Sequence, residues 1–202
     1  MRETEPLRSA LEVKQVKFTG SLDYDENGTL HRIFEPGETQ YIGEPNAEID
    51  AAWDALVEVD GVDLVGDEAS SVVGTTFQKP GGAWLVGVDA FHQLHCINMM
   101  YKNLYPDYYP RHHSPDFHRT HLEHCIDYLR QLAMCSLDIT PVPVEWTTRW
   151  NRRVHHFDTL HTCRDFDRVK GWMLQRSRRN HWTPPEGQPW PGPLPGPGVR
   201  DD

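Results

Sequence analysis

At 202 residues, 38% of them apolar, the chain is long enough for one domain with a buried core plus tails. Its formal charge of −10 is concentrated in residues 1–91, which hold 6 Lys/Arg against 18 Asp/Glu, whereas residues 92–202 hold 14 against 12. An acidic surface repels phosphate backbones, so no nucleic-acid partner is expected; no run approaches the roughly 20 apolar residues of a membrane helix, and the first fifteen residues are too polar for a signal peptide.

Residues 1–15 read as an N-terminal linker, 16–182 as a single domain and 183–202 as a Pro/Gly-rich disordered tail, whose composition buries too little apolar surface to offset chain entropy. Residues 16–45 are charged and broken at Asn27-Gly28 and Pro36-Gly37, with short alternating pieces such as Val16-Lys17-Phe18-Thr19 that suit edge strands. Beyond Pro45, the helical spacing of Ile49, Trp53 and Leu56 predicts a packing helix over 46–59. Residues 61–88 read as irregular structure or short strands turning at Pro80-Gly81-Gly82. The pattern then predicts one helix from about Asp89 to Leu104 and a second from about Asp116 to Met134, divided by Pro106, Pro110 and Pro115. A connection this short favours antiparallel packing. A last helix is predicted from about Cys163 to Gln175, and Arg176, Arg178 and Arg179 suit its C-terminal end better than a nucleic-acid surface. The expected fold is mainly α: a helical core with an antiparallel helix pair, long irregular segments and a few short strands.

The two central helices carry one motif twice, His-x-x-His-Cys, at His92, His95 and Cys96 and again at His121, His124 and Cys125. On a helix the two histidines lie about 60° apart around the axis, and the cysteine about 40° from the first histidine on its other side, so all three can face one neighbour. Packing would accept Leu or Val at lower cost than imidazole, so two copies 29 residues apart point to metal ligation. A third cluster, His161-Thr162-Cys163-Arg164-Asp165-Phe166-Asp167, offers His161 as an additional ligand or as a partner for the carboxylates, with Asp165 suited to the positive end of the predicted helix. His118 lies one turn before His121, while His112, His113, His155 and His156 read as surface residues.

The choice of metal turns on Cys96, Cys125, Cys135 and Cys163. Thiolates at Cys96 and Cys125 suit zinc, whereas disulfide-bonded cysteines leave imidazoles alone, a set with open positions that suits Cu(II). Pairing Cys96 with Cys125, or Cys135 with Cys163, would close a loop of nearly thirty residues and stabilise by about 3–4 kcal/mol on the chain-entropy model. Four cysteines allow three connectivities, all of which stay open. Asn27-Gly28-Thr29 is a glycosylation acceptor pattern, a hint of an oxidising compartment.

The two His-x-x-His-Cys motifs and the His161 to Asp167 cluster resemble the signature of the fungal UstYa-like family. Supporting pieces are Lys17 to Leu22, Ile49 to Trp53, Tyr128 to Gln131 and Met134-Cys135, and the resemblance runs from about Val16 to Met173. It implies an oxidative tailoring enzyme of secondary metabolism that cyclises ribosomal peptides or hydroxylates, desaturates or chlorinates small molecules, with copper as cofactor. Carried over residue by residue, it places one or two copper ions on His92, His95, His121 and His124, which would be catalytic through the metal. It also implies a natural-product substrate, lumenal location and an N-terminal membrane helix outside this sequence. Two rival expectations are a zinc-stapled module that presents substrate to another oxidase, and a non-catalytic subunit that forms a heterodimer with a paralogue; a homodimer is equally open.

Overall fold

The computed structural model describes residues 6–59, 61–111, 113–149 and 151–177. The expected tail, Arg178, Arg179, His112 and Trp150 lie outside the described residues. The elements in chain order are a 3-10 turn (Leu7–Ala10), β1 (Val13–Lys17), β2 (Leu22–Tyr24), β3 (Leu30–Arg32), α1 (Ala47–Val57), β4 (Val62–Leu64), a second 3-10 turn (Gly66–Ala69), β5 (Trp84–Val86), α2 (Asp89–Leu104), α3 (Pro115–Ser136), β6 (Val144–Thr147), β7 (Arg152–His155), β8 (Leu160–Arg164) and α4 (Phe166–Ser177).

The mainly α expectation is corrected. The described residues form four α-helices and eight short strands, paired antiparallel in four two-stranded sheets, so the fold is mixed α/β. The cause is non-local pairing: β1 joins β8 in the register Val13↔Arg164 to Lys17↔Leu160, across nearly the whole chain. Hydrophobic period reports which face of a segment is buried, and carries no record of a partner so far away. The same pairing moves the start of the last helix. Residues 160–164 are held extended by β1, so α4 begins at Phe166 and Asp165 becomes its N-cap, accepting from the amides of Asp167 (3.0 Å) and Arg168 (3.3 Å).

The chain forms two compact units. The first comprises residues 6–12, Asp54–Leu104 and 165–177. Its core gathers Val59, Val62, Leu64, Val72, Phe91 and Met173, each at most 3% exposed. β4 is buried at all three residues and pairs with β5, and Phe166 of α4 stacks on Phe91 of α2 at 5.4 Å. A buried ion pair joins Lys79 to Asp63 at 2.7 Å, tying the Pro80 turn to β4. Arg176 closes α4 as expected of a basic residue there: it donates to the Trp172 carbonyl (3.1 Å), pairs with Glu68 and lies over the Trp172 ring.

The second unit comprises Val13–Trp53 and Tyr105–Arg164. The α1 helix starts at an Asn46 cap, whose Oδ1 accepts from Glu48 (2.9 Å) and Ile49 (3.0 Å), and the Trp53 indole N–H donates to the Tyr41 carbonyl at 2.7 Å. Tyr108 and Tyr109 both donate their hydroxyls to Asp50, at 3.0 and 2.6 Å, fastening the segment before α3 to α1. The α3 helix is capped by Ser114 with Pro115 at its first position, and stops at Leu137 in the left-handed region, φ +39°. The β2–β3 hairpin turns at Asp25 to Thr29, where Gly28 takes φ +78° and the Asp25 carboxylate accepts from Asn27 (2.8 Å) and Thr29 (2.9 Å). Asn27 is exposed at the tip of this turn.

Candidate functional site

The two motifs lie on the helices the sequence predicts for them, α2 in the first unit and α3 in the second. They repeat more than residue type. His92 and His121 are half-buried, His95 and His124 are exposed, and Cys96 and Cys125 are fully buried. The ring centroids of each histidine pair are 6.5 Å apart, with planes inclined by 17° in the first motif and 24° in the second. Cys96 Sγ lies 3.8 Å from His92 Nε2. On α3 the motif continues into a row of rings: His113 to Phe117 at 4.5 Å, Phe117 to His121 at 6.0 Å and His124 to Tyr128 at 5.6 Å.

These donors fit a first-row metal chemically: imidazole suits copper and zinc, and thiolate sulfur suits Cu(I) and zinc. Two imidazoles sharing one tetrahedral ion at a metal–nitrogen distance of about 2.0–2.1 Å have centroids about 5 Å apart. Each pair therefore needs a side-chain rotation to share an ion, for which the exposed His95 and His124 have room. Among the described residues no group of three or more His, Cys, Asp or Glu is gathered as for a metal ion.

A cavity of about 410 Å³ opens beside the first motif, within the first unit. His92 and His95 form part of its wall, and Val57, Val59, Val88 and Phe91 supply an apolar lining. Its volume is at the lower end of the range for small-molecule pockets. Sequence reading assigned 46–59 to packing and so missed Val57 and Val59 as wall residues; what places them beside α2 is the fold of the first unit. Tyr108 and Tyr109, close to the motifs in sequence, are engaged with Asp50.

His161 is set apart by its bonding. It is 8% exposed on β8, its Nδ1 lies 2.6 Å from Asp138 Oδ2, its Nε2 lies 2.9 Å from Thr159 Oγ1, and its ring stacks on Phe18 at 3.6 Å. A neutral ring that donates from Nδ1 to the carboxylate and accepts from the hydroxyl satisfies both contacts. Its carboxylate partner is Asp138 at the end of α3 rather than the neighbouring Asp165 or Asp167. Hydrogen bonds from Thr140, then from His161, hold the Asp138 carboxyl down at about 2.

No disulfide joins Cys96, Cys125, Cys135 or Cys163 in the structure: Cys96 and Cys125 are buried, Cys163 is half-buried and Cys135 is exposed.

Residues 1–176 match the family profile described as "Mycotoxin biosynthesis protein UstYa". The chain belongs to the UstYa family. Curated UstYa-family relatives include phomYd of Diaporthe leptostromiformis, a "UstYa family oxidase" 30% identical over 86% of this chain and 62% of its own length. The "UstYa family oxidase" phomYc of the same fungus is 29% identical over 77% of this chain and 65% of its own length. The oxidase ustYa of Aspergillus flavus is 37% identical over a shorter stretch, 42% of this chain and 38% of its own. The chain thus spans somewhat less than two thirds of the length of the first two. No solved structure matches.

Proposed function

We propose that this UstYa-family chain is a copper-dependent oxidase of fungal natural-product tailoring, acting on a C–H or O–H bond by cyclisation, hydroxylation, desaturation or halogenation. The observation that carries the reading is the repetition of the motif in three dimensions. Both copies have the same ring separation and the same sequence of half-buried histidine, exposed histidine and fully buried cysteine. Packing alone gives no reason for two helices to keep an imidazole half-buried and a second one exposed at the same offset. The relatives' description as oxidases supports the reaction class.

In this reading His92 and His95 on α2, and His121 and His124 on α3, are the imidazoles that hold copper. Bound copper supplies the redox chemistry with dioxygen. The chain's own part is to hold and to seat. Each helix holds its two imidazoles one turn apart on one face, and rotation of the exposed His95 and His124 side chains is the rearrangement that binding requires. The apolar wall of the first-unit cavity excludes water and receives a natural-product group beside His92 and His95.

A second reading, a zinc-stapled binding or partner subunit, is favoured by the closeness of Cys96 Sγ to His92 Nε2, 3.8 Å. Elemental analysis of metal-replete protein with a thiol count and copper EPR, repeated on His95→Ala and His124→Ala, separates them. Copper near stoichiometry, lost in both variants, supports the oxidase; zinc with free thiols and no oxygen uptake replaces it.

Lumenal residence is part of the same proposal and is supported by the exposed Asn27 acceptor at a hairpin tip. Among the described residues no helix is long and apolar enough to cross a membrane. Association with a second copy or a paralogue is supported by α3, which buries only Cys125 over 22 residues and leaves Phe117, Ile126 and Met134 exposed.

A further inference from the structure

The cavity beside His92 and His95 combines an apolar lining with a carboxylate. Among the described residues its lining contains one acidic side chain, the exposed Asp89, and no Lys or Arg. Asp89 opens α2, where a carboxylate is favoured by the helix dipole, and it accepts from the Gln93 amide one turn on. This places the Asp89 carboxylate at the end of α2 that borders the cavity. Val57, Val88 and Phe91 present branched and aromatic surface with nothing to solvate a buried charge.

Resting on the reading that this cavity receives substrate, we propose that it selects a branched aliphatic or aromatic group bearing a protonated amine. The apolar part seats against Val57, Val88 and Phe91, and the ammonium pairs with Asp89. A carboxylate in the same place meets Asp89 with like charge. Because Asp89 is exposed, each effect is modest, about fivefold in affinity, so an amine and a carboxylate on the same carbon skeleton differ by more than tenfold.

The test uses the full chain without metal and three probes that share one skeleton: isoamylamine, isoamyl alcohol and isovalerate, at pH 7. Binding is read from the 13C methyl shifts of Val57, Val59 and Val88. The expected order is amine, then alcohol, then carboxylate. Asp89→Asn brings amine and carboxylate within about twofold and leaves the alcohol unchanged. Val88→Trp removes binding of all three, with Val57→Phe as the second cavity-filling variant should the first fail to give a folded amide spectrum. The proposal is overturned if the valine methyls respond to none of the probes, if the carboxylate binds as well as the amine, or if Asp89→Asn leaves their ratio unchanged. Because metal is absent throughout, the outcome is independent of the copper reading. Copper-binding protein that ignores all three probes sinks this proposal alone, and protein that ranks them as expected but takes up no copper sinks only the oxidase.

Discussion

Replacing His161 with alanine should cost stability and leave metal binding intact. The substitution removes a nearly buried ring, the contact at 2.6 Å to Asp138, the contact at 2.9 Å to Thr159 and the stack at 3.6 Å on Phe18. Asp138 has a side chain 53% exposed, so water replaces its lost partner and no charge is stranded. The cost then comes from the lost ring packing and the Thr159 contact, together about 2–3 kcal/mol. For a chain of this size that lowers the melting temperature by roughly 5–10 °C. Thermal and urea unfolding of the metal-free protein measure the loss, and elemental analysis of the reloaded variant measures the metal. Metal stoichiometry that falls with His161→Ala while the fold is retained would make His161 a ligand and refute the reasoning, as would an unchanged melting temperature.

Acid should weaken the second unit through carboxylates whose charged form is held by hydrogen bonds. Thr29, Asn27 and Gly28 amides lower Asp25, the Ser21 hydroxyl lowers Asp158, and Thr140 with His161 brings Asp138 to about 2. A group depressed on folding contributes stability that is present above the unfolded carboxylate value near about 3.9 and is lost as pH falls toward its folded value. Melting temperature should therefore decline between pH 4 and 2, less steeply in Asp158→Asn; parallel curves for wild type and variant would contradict this. The Lys79–Asp63 pair, 9% and 4% exposed, predicts that Lys79→Ala alone costs about 3–5 kcal/mol by leaving a buried carboxylate, and that Asp63→Leu with Lys79→Met recovers most of it; a double variant as unstable as the single one counts against this. On the proposed lumenal residence, Asn27→Gln should remove one glycan, read as a mass shift, without a change in melting temperature, since the turn uses the Asn27 backbone amide; an unchanged mass counts against that residence.

What could be read from sequence was local. Both motif helices appear at their predicted places, because periodicity, Pro115 and the Ser114 cap act within a few residues of the structure they specify. The α1 start at Asn46 was legible for the same reason. The family was legible because its motif is a short spacing of histidine and cysteine, which needs no fold to be recognised.

The mixed α/β character was not legible, since β1 and β8 are individually short and polar and become strands by pairing with each other. His161 carried the same ambiguity: a histidine beside two aspartates suggests those neighbours as partners, yet strand geometry turns it to Asp138 and Thr159. The cavity belongs wholly to tertiary structure, as Val57 and Val59 reach the wall beside His92 only through the packing of the first unit. Sequence by itself determined which helix turns present the paired histidines and cysteines, through interactions that span three or four residues. The fold alone decided which of them find hydrogen-bond partners and which face open space, because those outcomes depend on contacts between segments that sequence order keeps far apart.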